Sequence, residues 1–308
     1  MTRIVRFSSI SRHRRTLTLL FLFLTAARPC PAADVQTFII FAVDGLGANV
    51  LRAKMPANFR EFQRESAYSF TARGVMPTVT FPNFTSMISG AGPEQHGVTS
   101  NEWRPDKFTI APSCRGESGH FPTIFGLLHQ ARPTAKLGMF FDGTSGFPFI
   151  AEEGVPDKVG VGLGADATLA MALEYITSAK PALVFLHVDL MDHAGHTEGW
   201  ESPAYDEALG HCDKLLGQIM ARLRETGMLP ATMVLITADH GGVGKRHGGN
   251  SMTELEIPWM LRGPGVAAGK ELTGPINTFD TASTIAEIFG LHQPACWIGR
   301  PVKEAFGK

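Results

Sequence analysis

Unbroken apolar runs alternate along the chain with segments of helical periodicity. "TFIIFAV" (Thr37 to Val43), "KLGMFF" (Lys136 to Phe141), "ALVFLHV" (Ala182 to Val188) and "TMVLIT" (Thr232 to Thr237) read as strands. Strands apolar on both faces belong to sheets covered by helices on both sides, which are usually parallel. From Tyr205 to Glu225, Leu209, Cys212, Leu215, Leu216, Ile219, Met220 and Leu223 recur at helical spacing, and Gly227 ends the segment. Asp166 is expected to cap a helix running to Tyr175. "PTVTFPN" predicts a tight turn into a helix from Asn83 to Ser89, and "TASTIAEIFG" a helix ending at Gly290. This alternation predicts a three-layer α/β/α sandwich around a largely parallel central sheet. Without internal repeats or a linker, residues 34–308 read as one domain.

The N-terminus departs from that pattern. "MTRIVRFSSISRHRR" is basic and lacks acids, "TLTLLFLFLTAA" is apolar, and small residues follow in "RPCPAAD". These are the three regions of a secretory signal peptide, expected over residues 1–33. The apolar run falls short of the roughly 20 residues of a membrane span, so no stable span is expected after cleavage. Arg14-Arg15 leaves twin-arginine and general export both open. The mature protein is expected to be secreted or periplasmic. There Cys114, Cys212 and Cys296 could form one disulfide, whose pairing spacing does not decide. Cys212 lies on an apolar helix face and reads as core. A net charge of -1 lacks the basic footprint of nucleic-acid binding, which is not expected.

Chemistry gathers after the strands. Asp44, Asp192 and Asp239 lie at or just beyond strand ends, where ligands collect in open α/β sheets. A turn explains the glycines of "TADHGGVGKRHGG", but not Asp239, His240 and His247 in the same stretch. Carboxylates brought together repel unless cations neutralise them, so two divalent ions are expected. Mixed Asp and His donors suit zinc. In "VDLMDHAGHTEG", Asp189 with His193 and Asp192 with His196 share one spacing, and spacing alone admits either pair.

"VDGLG", "MPTVTFPNFTSMISGAGPEQHG", "DHAGHTEG", "TADHGG" with its later "HGG", and finally "IPWMLRGPGV" occur in that order. In this the chain resembles the type I phosphodiesterase/nucleotide pyrophosphatase family of the alkaline phosphatase superfamily, from about Phe38 to Gly265. The resemblance implies one metal held by Asp44, Asp239, His240 and the Thr80 oxygen. It implies a second held by Asp192, His196 and His247, because Gly195 before His196 matches the family's pattern. It also implies that Thr80 is the nucleophile, passing through a phospho-threonine. Asn101 and the Phe81 N–H would bind a non-bridging phosphoryl oxygen.

Departures bear on substrate. The aromatic residue after the nucleophile is kept as Phe81, but His187 replaces the tyrosine five residues before Asp192 that helps to grip a base. "FFDGTSGF" (Phe140 to Phe147) replaces another family segment. Cys114 stands in "SCRGES" without the Cys-x-Pro-x-Arg of sulfatases. No Lys-x-Arg pair marks a monoesterase, although Lys245 and Arg246 could serve. The expectation is a secreted two-metal phosphodiesterase acting on a nucleotide or another small phosphodiester. Phosphomonoester or phosphonate hydrolysis, and non-catalytic binding of a phosphorylated ligand, are the alternatives.

Overall fold

The structure is a computed structural model describing residue 1 and residues 35–307 apart from 117 and 144–146. The expected signal peptide, with Arg14-Arg15, lies outside the described residues. So does the middle of the "FFDGTSGF" segment.

Among the described residues eight strands form one sheet: β1 (Thr37–Val43), β2 (Ala67–Arg73), β3 (Leu137–Asp142), β4 (Lys158–Gly162), β5 (Leu183–Val188), β6 (Thr232–Thr237), β7 (Glu256–Arg262) and β8 (Lys270–Glu271). Their order is β4-β3-β5-β1-β6-β7-β2-β8. β7 runs antiparallel to β6 and β2, and every other adjacent pair is parallel. The four apolar runs became the contiguous strands β3, β5, β1 and β6. β1, β5 and β6 are buried at every residue, as strands covered on both faces must be. β2 and β4 mix buried and exposed positions nearer the sheet's edges, so they lack that signature.

The helices are α1 (Ala48–Ala53), α2 (Ala57–Arg64), α3 (Thr80–Ser89), α4 (Pro93–His96), α5 (Ile124–Ala131), α6 (Ala165–Ala179), α7 (Leu190–Glu198), α8 (Pro203–Glu225), α9 (Met252–Leu255) and α10 (Asp280–Phe289). α2 and α6 pack on α8, and α6 also lies on β3, β4 and β5. α3, α5 and α10 pack on one another as a second group. The result is the expected three-layer α/β/α sandwich. Among the described residues no helix is long and apolar enough to cross a membrane.

Two helix boundaries differ from the sequence reading. α3 begins at Thr80 rather than Asn83, because Pro82 falls in the first turn, where a missing N–H costs nothing. α6 is capped by Gly164 and runs to Ala179. Asp166 sits inside its first turn instead, with Oδ2 2.8 Å from His211 Nε2. Cys114 and Cys296 form a disulfide, and Cys212 is buried in α8.

Candidate functional site

The carboxyl ends of β1, β5 and β6 lie side by side, and the polar residues following each strand meet there. Asp44 follows β1 and leads into Gly45, whose φ of +74° is left-handed. Gly45 is a junction. Its N–H donates to Asp239 Oδ1 (3.0 Å), and its carbonyl accepts from Trp200 Nε1 (2.9 Å) and the Tyr205 hydroxyl (2.6 Å). The Asp192 N–H donates to the Asp44 carbonyl (3.1 Å). A Cβ on Gly45 would stand 2.8 Å from Asp192 Cα, so only glycine lets the β1 and α7 segments close on each other.

Three imidazoles are oriented alike. Backbone carbonyls of Gly241, Thr78 and Lys245 lie 2.9, 2.8 and 3.1 Å from Nδ1 of His240, His247 and His196 respectively. A carbonyl only accepts, so each Nδ1 carries a proton and each Nε2 is left to face the site. His240 Nε2 lies 3.0 Å from Asp239 Oδ2 and 3.6 Å from Asp44 Oδ1. Asp192 reaches His196 Nε2 at 3.5 Å and His247 Nε2 at 3.6 Å. The His240 and His247 rings stack with centroids 3.8 Å apart. Asp44, Asp239 and His240 therefore form one donor group, and Asp192, His240 and His247 an adjoining one.

Asp44 Oδ1, Asp192 Oδ1, Asp239 Oδ2 and His240 Nε2 are buried without hydrogen-bond partners. Each such atom costs about 1–3 kcal/mol if nothing answers it. Their convergence as lone-pair donors, mixing carboxylate and imidazole, fits divalent cations. Asp192 lies within reach of both His196 and His247, but the donor group around it takes His240 and His247, while Asp189 gathers with Asp44 and His187; His193 and His196 are both exposed.

Burial, then the charges of Asp239 and Asp192, raises the Asp44 carboxyl well above its ordinary range. Burial and Asp192 push Asp189 up to about 7. Burial also raises Asp192, against the pull of His240. Burial opposes ionisation of Asp239, but with no cation bound a protonated His240 and the Gly45 N–H outweigh it and hold the carboxyl low. So many buried acids beside one another cannot all ionise without positive charge between them.

Thr80 is the first residue of α3, and the loop that leads into it is bonded to the loop carrying His247. Thr78 Oγ1 accepts from the Gly248 N–H (3.1 Å) and donates to the Gly249 carbonyl (2.8 Å), which ties the Thr80 loop to the His247 loop. Asn83, fully buried, straps the same loop. Its Oδ1 accepts from Val75 N–H (2.6 Å), and its Nδ2 donates to the carbonyls of Val75, Pro77 and Val79. This role went unread in the sequence, where Asn83 marked only a helix start.

Phe81 and Asn101 meet, but not as two free donors. The Phe81 N–H donates to Asn101 Oδ1 (2.9 Å), which leaves the Asn101 Nδ2 amide as the unspent group. The Phe81 ring packs against Phe147 (5.0 Å between centroids) and Phe149 (5.3 Å). His187 is not on a substrate face. It is 2% exposed, with Nε2 2.9 Å from Asp44 Oδ2, and burial lowers its pKa to about 4. A lone histidine in an otherwise apolar strand was the available signal. Lys245 Nζ donates to the Thr197 carbonyl, and Arg246 is exposed.

The family model described as type I phosphodiesterase / nucleotide pyrophosphatase matches residues 38–245. Ectonucleotide pyrophosphatase/phosphodiesterase family member 1 of Mus musculus is 26% identical over 228 residues, 69% of this chain and 25% of that protein. Venom phosphodiesterase 2 of Crotalus adamanteus is 24% identical over 234 residues, 70% of this chain and 28% of that protein. The chain thus spans about a quarter of the length of these curated relatives. Among solved structures, inactive murine ectonucleotide pyrophosphatase / phosphodiesterase 5 in complex with AMP superposes with a TM-score of 0.74. It is 14% identical, covers 88% of this chain and is itself covered completely, which is a likeness of fold.

Proposed function

The chain belongs to the type I phosphodiesterase / nucleotide pyrophosphatase family, and from that premise we propose that it is a metal-dependent phosphodiester hydrolase with Thr80 as nucleophile. The observation that carries this reading is the convergence of unpartnered Asp44 Oδ1, Asp239 Oδ2, His240 Nε2 and Asp192 Oδ1 at the ends of parallel strands. Asp44, Asp239, His240 and the Thr80 oxygen would hold one divalent cation, and Asp192, His196 and His247 another. Zinc suits this donor set and supplies Lewis acidity toward the nucleophile and the leaving oxygen when bound.

The chain's own residues do the rest. Thr80 Oγ attacks phosphorus in line; the P–O bond to the leaving group breaks, and a phospho-threonine forms. Water then cleaves that ester and restores the hydroxyl. Positioning is the protein's main contribution to phosphoryl transfer. It comes from the Asn83 strap and the Thr78 bonds on the Thr80 loop. Asn101 Nδ2 is the free donor for a non-bridging oxygen. Burial of the carboxylates lowers the local dielectric and strengthens every charge interaction at the site.

A diester rather than a monoester is favoured because Lys245 is spent on Thr197 and Arg246 points to solvent. A dianionic monoester would want further cations. The substrate is a nucleotide or another small phosphodiester. The inward turn of His187 and the packed flanks of Phe81 argue against an aromatic clamp on a base. The Cys114–Cys296 disulfide supports an oxidising, secreted or periplasmic location for a catalytic domain spanning residues 34–308.

The test compares hydrolysis of bis-p-nitrophenyl phosphate and p-nitrophenyl phosphate by the zinc-supplied protein, Thr80→Ala and a chelated control. Diester preference lost in both controls supports the reading. Monoester preference overturns the substrate class, and turnover that survives Thr80→Ala overturns the nucleophile.

A further inference from the structure

Building on Asp44 as a metal ligand, we propose that His187 is a positioning residue that selects which Asp44 oxygen binds the ion. The imidazole holds Oδ2 and leaves Oδ1 free. His187 Nε2 lies 2.9 Å from Asp44 Oδ2. An ionised carboxylate only accepts, so the imidazole proton sits on Nε2. Its Nδ1 is buried and unpartnered, which suits a bare nitrogen; a proton there would be a buried donor with no acceptor. The three imidazoles assigned to metal have the opposite arrangement, with Nδ1 protonated against a carbonyl and Nε2 presented. His187 is thus built as a donor to a ligand rather than as a ligand. Asp44 Oδ1, by contrast, has no hydrogen bond and lies 3.6 Å from His240 Nε2.

The ring is also locked in place. Phe84, Phe147 and Phe141 surround it at centroid distances of 5.4, 5.0 and 6.2 Å. The parallel register pairs His187 with Ala42 of β1, two residues before Asp44. An apolar residue here would pack equally well but would leave Oδ2 without a donor, and the carboxylate could then rotate or bind through both oxygens. Partners of this kind typically alter metal affinity by roughly 10–100-fold when removed.

The experiment uses the full chain stripped of metal and titrated calorimetrically with zinc, as wild type, His187→Phe, His187→Gln and Asp44→Asn. The phenylalanine variant keeps the ring and loses the donor. It should weaken one of the two zinc sites by about 10–100-fold, and glutamine, whose amide N–H can reach Oδ2, should recover most of that. A cooperatively folded His187→Phe protein that binds zinc like wild type overturns the inference. In parallel, long-range ¹H–¹⁵N spectra of zinc-loaded, histidine-labelled protein should show His187 protonated on Nε2, assigned by its loss in His187→Gln. Protonation on Nδ1 overturns the inference even if His187→Phe fails to fold. Unchanged zinc binding by Asp44→Asn would instead overturn the metal assignment beneath it.

Discussion

Replacing Asn83 with alanine isolates the strap that holds the Thr80 loop. The wild-type amide makes four bonds to the segment ahead of it. Not all of them matter equally. The Pro77 carbonyl also accepts from the Val79 N–H, and the Val79 carbonyl from the Asn83 N–H, so both keep a partner after truncation. The Val75 N–H and carbonyl have Asn83 as their hydrogen-bond partner, and Val75 is buried. Two orphaned buried groups at about 1–3 kcal/mol each predict a loss of roughly 2–6 kcal/mol, toward the lower figure if water enters the vacated space. Urea unfolding of the metal-free protein measures this directly. Turnover of a diester should fall by more than about tenfold at temperatures where the variant is folded, since misplacing a nucleophile by an ångström can cost a hundredfold. A loss below about 1 kcal/mol with turnover unchanged would refute the idea that Asn83 positions Thr80.

Gly45→Ala should couple fold and site. A left-handed φ costs a non-glycine residue about 1–2 kcal/mol, and the new Cβ meets Asp192 backbone at 2.8 Å. Lower thermal stability should accompany weaker zinc binding in calorimetry, and a variant that binds zinc normally would show that the approach of Asp44 to Asp192 is not critical. His96 gives a pH prediction away from the metal ligands. It is 2% exposed, Nε2 pairs with Ser86 Oγ at 2.9 Å, Nδ1 accepts from Val98 N–H, and burial lowers its pKa to about 3. A folded value below the unfolded one means that the unfolded chain takes up the proton first. The stability contribution is therefore full above pH 6.5 and is lost as pH falls toward 3, on the order of 4 kcal/mol at the acid end. His96→Gln should flatten that part of the stability–pH curve, and an unchanged slope would place the acid lability elsewhere.

Much of this protein could be read without coordinates. β1 and β6 span the predicted residues because strands buried on both faces leave uninterrupted apolar runs, whereas β2 and β4, with exposed positions, leave none. The candidate donors were equally legible, since Asp239, His240 and His247 in one glycine-rich stretch exceed what a turn requires. Spacing could not choose between Asp192 with His196 and Asp189 with His193. That choice depends on which side chains of α7 face the loop after β6, and helical rotation relative to a distant loop leaves no mark on local spacing. The roles of His187 and Asn83 were hidden for a related reason. A buried histidine and a helix-start asparagine have ordinary local meanings, and only parallel pairing of β5 with β1 and folding of the Val75 segment over α3 bring their hydrogen bonds to bear. Local sequence encodes burial and turn chemistry, while the partners of a buried polar atom are set by contacts between residues as far apart as Asp44 and His187.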